Sequence, residues 1–138
     1  MKHKLMRAST RSFAEAELAP IAAESDQQRI FPRDVIAKMS GLHYFGLQTP
    51  KAYGGAELDS VSAAIVVEEL SRVCAAVGLC VTVHNGVAVY PLLRFATARQ
   101  KESYLPALCL LYTSDAADDH LCVDSGGRRI IKKNTHRI

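Results

Sequence analysis

The stretch from Val61 to Val89 constrains what this chain can fold into more than any other. Apolar residues recur at 61 and 65, then at 66, 70, 73, 74 and 77, which are the three- and four-residue intervals of a helix. Glu68, Glu69 and Arg72 fall together on one arc of the first half, whereas Val73 to Val83 carries no charge. A helix that is amphipathic first and apolar all round afterwards is predicted to start at a surface and run into a core. Asp59 is placed to cap it, its carboxylate accepting the free amides of the first turn. Glu68 and Arg72 stand in the favourable i,i+4 order for an ion pair. Glu68 and Glu69 fail as a catalytic acid and base, because adjacent helical residues point about 100° apart. Gly78 permits a break or a close helix contact.

Several function classes are excluded by what surrounds this helix. The net charge is only +3, no basic stripe emerges and Trp is absent, so nucleic-acid binding has no electrostatic footprint. Cys74, Cys80, Cys109 and Cys122 show no C-x-x-C spacing and read as free thiols in a reducing compartment rather than a disulfide pair or a metal site. The charge-free run Val73–Val83 is 11 residues, where a membrane span needs about 20. Extending it to Leu93 brings in His84, Asn85 and Pro91, so a buried core helix is expected and no membrane span. The basic start Met1–Arg7 has no apolar segment or cleavage site and is too short for a transit peptide.

Taken in order, residues 4–27 read as a first helix with Leu5, Phe13, Leu18 and Ile21 on one face, kinked or divided at Pro20. Phe31-Pro32 opens a second, Pro32 standing at its first position, with Val35, Ile36, Met39 and Leu42 on its apolar face. Lys51 to Gly55 is a loop whose two glycines either make a plain turn or let backbone approach a ligand. His84 beside Asn85 reads as a hydrogen-bonded core or rim residue rather than a catalyst. Thr97-x-x-Gln100 has capping-box spacing and starts a last helix with Tyr104, Leu105 and Leu108 on one side. The fold class is therefore all-α, a bundle of four or five helices up to Leu108, with no convincing strand. It holds no nucleophile–base pair, metal cluster or phosphate-binding loop, so catalytic and metal residues are assigned to none.

Six ordered blocks resemble one family: Phe13–Ala23, Phe31–Val35, Phe45–Leu47 with Tyr53-Gly54-Gly55 and Leu58-Asp59, Glu68–Arg72, Val83-His84-Asn85, and Gln100–Pro106. In this order and spacing they are similar to the N-terminal helical domain of the acyl-CoA dehydrogenases, closest to the short- or branched-chain type, over about residues 5–108. The resemblance implies an FAD-dependent oxidoreductase that forms a 2-enoyl-CoA from an acyl-CoA, passes electrons to an electron-transfer flavoprotein and assembles as a homotetramer. It implies a mitochondrial matrix or bacterial cytoplasmic location. It also implies that the flavin contacts and the glutamate base lie in domains beyond this one, so no cofactor-binding residue is carried over and the chain alone is expected to be inactive and without FAD. Val83 and Val87, with Tyr90, are carried over as acyl-pocket wall, the alternative for each being ordinary core packing.

Where the sequence departs from the family's pattern, His43, Glu57 and Ala96 replace usual glycines. A position needing φ > 0 would cost His43 about 1 kcal/mol. From Cys109 to Lys133 the chain instead resembles a translated sequencing adapter, and residues 109–138 are expected to be a non-native, poorly ordered tail. Truncation at both ends of a longer parent is expected. A stand-alone helical interaction module with the same fold and no catalysis is the alternative.

Overall fold

The computed structural model describes residues 1–111; most of the adapter-like segment lies outside the described residues. Seven α-helices follow one another among them: α1 Lys2–Phe13, α2 Ala19–Gln28, α3 Arg33–Gly41, α4 Ser60–Val73, α5 Ala75–Val83, α6 Tyr90–Phe95 and α7 Ala98–Cys109. There is no strand among the described residues. Single π-helical turns join α1 to α2 (Ala14–Leu18) and α5 to α6 (His84–Val89), so 2–28 and 75–95 are helical throughout.

Pro20 divides the first helix as expected, without the backbone leaving helical geometry. The widened turn before it lets the Ala19 amide donate to the Ala14 carbonyl, and Pro20 sits in the first turn of α2, where its missing donor costs little. Phe13 and Ile21 are half-buried and Leu18 is fully buried, but Leu5 faces solvent; Met6 and Thr10 take the inward positions of α1, followed by Ala14 in the π-helical turn. Pro32 precedes α3 as its cap rather than opening it. Val35, Ile36 and Met39 are buried, while Leu42 is exposed because the helix has already ended there.

Asp59 caps α4 by accepting the Ser62 amide at 2.7 Å. The break in the long apolar helix comes at Cys74, a single extended residue (φ −143°, ψ 102°), not at Gly78. Gly78 is the contact that the break makes possible: a Cβ there would lie 1.9 Å from Ser71 Oγ, so α5 folds back closely on α4 only without one. Gly55 has the same role in the loop, where a Cβ would meet the Thr49 carbonyl oxygen at 2.1 Å. Its neighbourhood is the chain's own backbone.

His43 takes the left-handed conformation that its position suggests, at φ 59°, and Glu57, another replaced glycine, does so too at φ 53°. Ala96 is extended (φ −75°, ψ 151°), so the third position needs no glycine. The Thr97–Gln100 capping box forms, with Leu105 buried and Tyr104 turned out to solvent. Helix α7 takes in the buried Cys109.

Candidate functional site

The stretch 75–95 positions the residues singled out as pocket wall. It is longer than the apolar run suggested, because the π-helical turn carries helical backbone through His84 and Asn85, and Pro91 falls in the first turn of α6. At 21 residues and a mean hydropathy of 1.5, it meets the length and composition of a membrane span. It is also not the buried core helix expected, since only 22% of its most apolar window is buried. Val77, Gly78, Val81 and Val89 face the domain core, and Leu79, Val83, Val87 and Tyr90 face away.

Two side chains of the π-helical turn lock it to the rest of the domain. Asn85 accepts the Leu47 amide at 3.0 Å and donates to the carbonyls of Tyr44 and Val81, each at 2.9 Å. His84 Nε2 lies 3.0 Å from the Leu108 carbonyl, and its ring stands edge-on to Phe45 at 5.3 Å. Burial pushes the His84 pKa down, partly opposed by that hydrogen bond. His84 is thus the hydrogen-bonded residue expected.

Val83, Val87 and Tyr90 share the outward side, with relative exposures of 47%, 70% and 50%. None packs in the core formed by the described residues. Tyr90 lines a concavity, an open groove of about 460 Å³ between α4 and α5 walled by Leu47, Ala63, Val67 and Val81, with Gln48, Glu68 and Asn85 at its polar positions. Glu68 is the titratable group beside it, and its carboxylate is held by Arg7 at 2.8 Å, which draws its pKa down. The groove offers an apolar wall and no free base.

A second constellation escaped the sequence reading. Glu69 shares the charged arc of α4 with Glu68 and Arg72, yet its side chain is 1% exposed. Arg7 and Arg11 of α1 close over it at 2.6 and 2.8 Å, and Arg72 stands 3.5 Å away. Arg72 bonds Glu15 at 2.8 Å rather than the predicted Glu68, because the π-helical turn Ala14–Leu18 also lies against α4 and offers a closer partner than the i,i+4 neighbour. Hydrogen bonds from Arg11 hold the Glu69 pKa at about 2 against the cost of burial. A carboxylate so fully paired is a strut between helices, not a catalyst. The signal was Arg7 and Arg11 at i,i+4 on the opposing helix, invisible until the two helices meet.

Among the described residues no group of three His, Cys, Asp or Glu side chains is placed to hold a metal. The depression along α1, about 670 Å³, is open and lined by Lys4, Arg7, Arg11 and Glu15, of which Arg7 and Arg11 are already committed to Glu69. Neither it nor the α4–α5 groove encloses a ligand as a cofactor site does, so the described residues do not by themselves fit a flavin.

A helical domain with this order of blocks and this outward apolar helix can be set beside known proteins. The family model for the acyl-CoA dehydrogenase N-terminal domain matches residues 1–110. The chain belongs to this family. It is 39% identical over 103 residues to the short-chain specific acyl-CoA dehydrogenase, mitochondrial, of Homo sapiens, covering 75% of this chain and 25% of that protein. A chain from the solved structure described as an electron transferring flavoprotein of Acidaminococcus fermentans superposes with a TM-score of 0.74 at 32% identity, covering 78% of this chain and 28% of that one. The acyl-CoA dehydrogenase of Bacillus anthracis, solved in complex with FAD, superposes with a TM-score of 0.71 at 28% identity, covering 79% and 19%. The chain thus spans about a quarter of the curated relative's length. The all-α fold expected from the sequence is that of this N-terminal domain.

Proposed function

We propose that the chain is the N-terminal helical domain of an FAD-dependent acyl-CoA dehydrogenase, and that Val83, Val87 and Tyr90 form part of the wall along which the acyl chain lies in the complete enzyme. The observation that carries this reading is the family match over 1–110. The exposure of these side chains on 75–95 supports the second half: among the described residues Val83, Val87 and Tyr90 are left at least 47% exposed. The flavin bound by a complete enzyme of this kind would supply a hydride acceptor for the β-carbon of the acyl thioester, and a glutamate would serve as base for the α-proton. Both the flavin contacts and that glutamate belong to the part of the parent beyond this chain. The domain's own contribution is to supply an apolar surface that excludes water from the acyl chain, held at fixed depth by Asn85 and His84.

The same reading gives the parent an acyl-CoA substrate, an electron-transfer flavoprotein as electron acceptor and a homotetrameric assembly, in the mitochondrial matrix or the bacterial cytoplasm. The test begins with the DNA. Long, adapter-free reads across the codons for Leu108 and Cys109 should continue into a frame encoding a β-domain and a distal glutamate. The complete product should then carry a flavin whose visible absorbance bleaches on adding a short-chain acyl-CoA. A genomic stop after Ile138, with Cys109 onward genuinely encoded, would reject this reading in favour of the non-catalytic helical module.

A further inference from the structure

The chain has two asparagines, Asn85 and Asn134, and Asn85 is followed by Gly86. An Asn-Gly pair is chemically labile: glycine has no Cβ to hinder attack by its backbone nitrogen on the asparagine Cγ, and it reaches conformations closed to other residues. Packing gives no reason for a glycine here. Gly86 is exposed within the π-helical turn, and a Cβ there would meet nothing within 4 Å. We propose that Asn85-Gly86 is a spontaneous modification site, a deamidation site that the native hydrogen bonds of Asn85 hold closed and that local opening of the π-helical turn releases.

In the reaction a bond forms between the Gly86 nitrogen and Asn85 Cγ, and the Cγ–Nδ2 bond breaks. The Gly86 amide proton goes to solvent, the leaving nitrogen takes up a proton and departs as ammonia, and a five-membered succinimide remains. Water opens that ring at either carbonyl, giving aspartate or isoaspartate. No electrons are exchanged. Three contacts keep the native site closed: Oδ1 accepts the Leu47 amide at 3.0 Å, and Nδ2 donates to the carbonyls of Tyr44 and Val81, each at 2.9 Å. Turning Cγ onto the Gly86 nitrogen breaks all three. Ring closure also needs that nitrogen nearly eclipsed with Asn85 Cβ about the Cα–C bond, which helical ψ does not allow. Both residues line the open α4–α5 groove, so water reaches the ring once it forms. The product cannot close the site again. Aspartate at 85 still accepts the Leu47 amide but has no proton for the other two carbonyls and sets a carboxylate oxygen against them. Isoaspartate lengthens the backbone inside the helix. Each opening of the turn therefore risks permanent loss of its tie to Tyr44–Leu47, whatever the domain does in its parent.

The test incubates the full 138-residue chain at mildly alkaline pH, native and in urea, and maps both asparagines by peptide mass spectrometry. An isoaspartate-specific carboxyl methyltransferase reports the isomer. In urea Asn85 should convert about tenfold or more faster than Asn134, which is followed by the branched Thr135. Folding should slow Asn85 by about tenfold or more, because the open turn is a minor state. Gly86→Ala should slow the reaction in urea by about tenfold or more and leave native helical circular dichroism undiminished. Asn85→Asp should reproduce the lowered urea midpoint of the converted chain. Asn85 no faster than Asn134 in urea would remove the site, equal rates in native and unfolded chain would remove the gate, and a wild-type midpoint after conversion would remove the consequence. Any of these overturns the proposal, and none touches the family membership or the acyl-wall reading.

Discussion

The carboxylate of Glu69 sits where three guanidinium groups converge, and its neutralisation should be felt in folding. Arg7, Arg11 and Arg72 are each a third to a half exposed, so much of their own hydration survives its removal. Glu69→Ala is therefore expected to cost about 1–3 kcal/mol in denaturant unfolding, less than loss of a partner from a wholly buried pair. Its pKa falls from 4.5 unfolded to about 2 folded. The stabilisation is complete above pH 4.5 and is lost as pH falls toward 2, so unfolding midpoints of wild type and Glu69→Gln should converge across that window. Two of the left-handed residues, Glu57 and His43, behave differently from each other. Glu57→Gly should raise stability by about 0.5–1 kcal/mol, since φ 53° burdens any Cβ and only the backbone amide is bonded there, to the Thr49 carbonyl. His43→Gly should gain less, because His43 Nδ1 bonds the Gly54 carbonyl at 3.0 Å and that contact would go. Paired thermal melts of the two variants measure the difference.

At the scale of elements, α4 and α5 are distinct helices because one residue, Cys74, leaves helical geometry and one glycine lets them close. Gly78→Ala drives a methyl group into Ser71 and is expected to lose about 1–3 kcal/mol, with part recovered in the Gly78→Ala/Ser71→Gly pair. The π-helical turn His84–Val89 is held from its side by Asn85, whose amide joins α5 to the Tyr44–Leu47 turn. Asn85→Ala leaves the buried Leu47 amide without its acceptor and should cost about 2 kcal/mol by denaturant titration. Amide exchange should localise that loss to residues 44–47 and 84–89, since the capping box at Thr97 and the Asp59 cap hold their helices independently.

For the whole molecule, membership of the acyl-CoA dehydrogenase N-terminal domain family explains why one side of 75–95 is apolar without being covered. A surface of that kind is built to be covered by other protein. The purified chain should show no flavin absorbance after gel filtration in the presence of FAD, because its concavities among the described residues are open grooves. Retention of stoichiometric FAD would contradict that expectation and move flavin contacts into this domain.

The sequence by itself determined the all-α class, where α4 and α7 are capped, and that His43 stands at a left-handed position. Those are local matters, fixed by the period of apolar residues, by side chains reaching their own helix ends, and by steric limits on φ. It also fixed the family, through six blocks in order. Only the tertiary structure decided which residues of those helices are inside. Leu5, Leu42 and Tyr104 are apolar or aromatic and lie outside, and Glu69 is charged and lies inside. Burial depends on what stands opposite, and for Glu69 that was a pair of arginines some sixty residues away in the chain. The same reason kept the true extent of the pocket-wall helix hidden: His84, Asn85 and Pro91 look like breakers in one dimension. In three, Asn85 and His84 find backbone partners on other segments, and the helix runs on through them to Phe95.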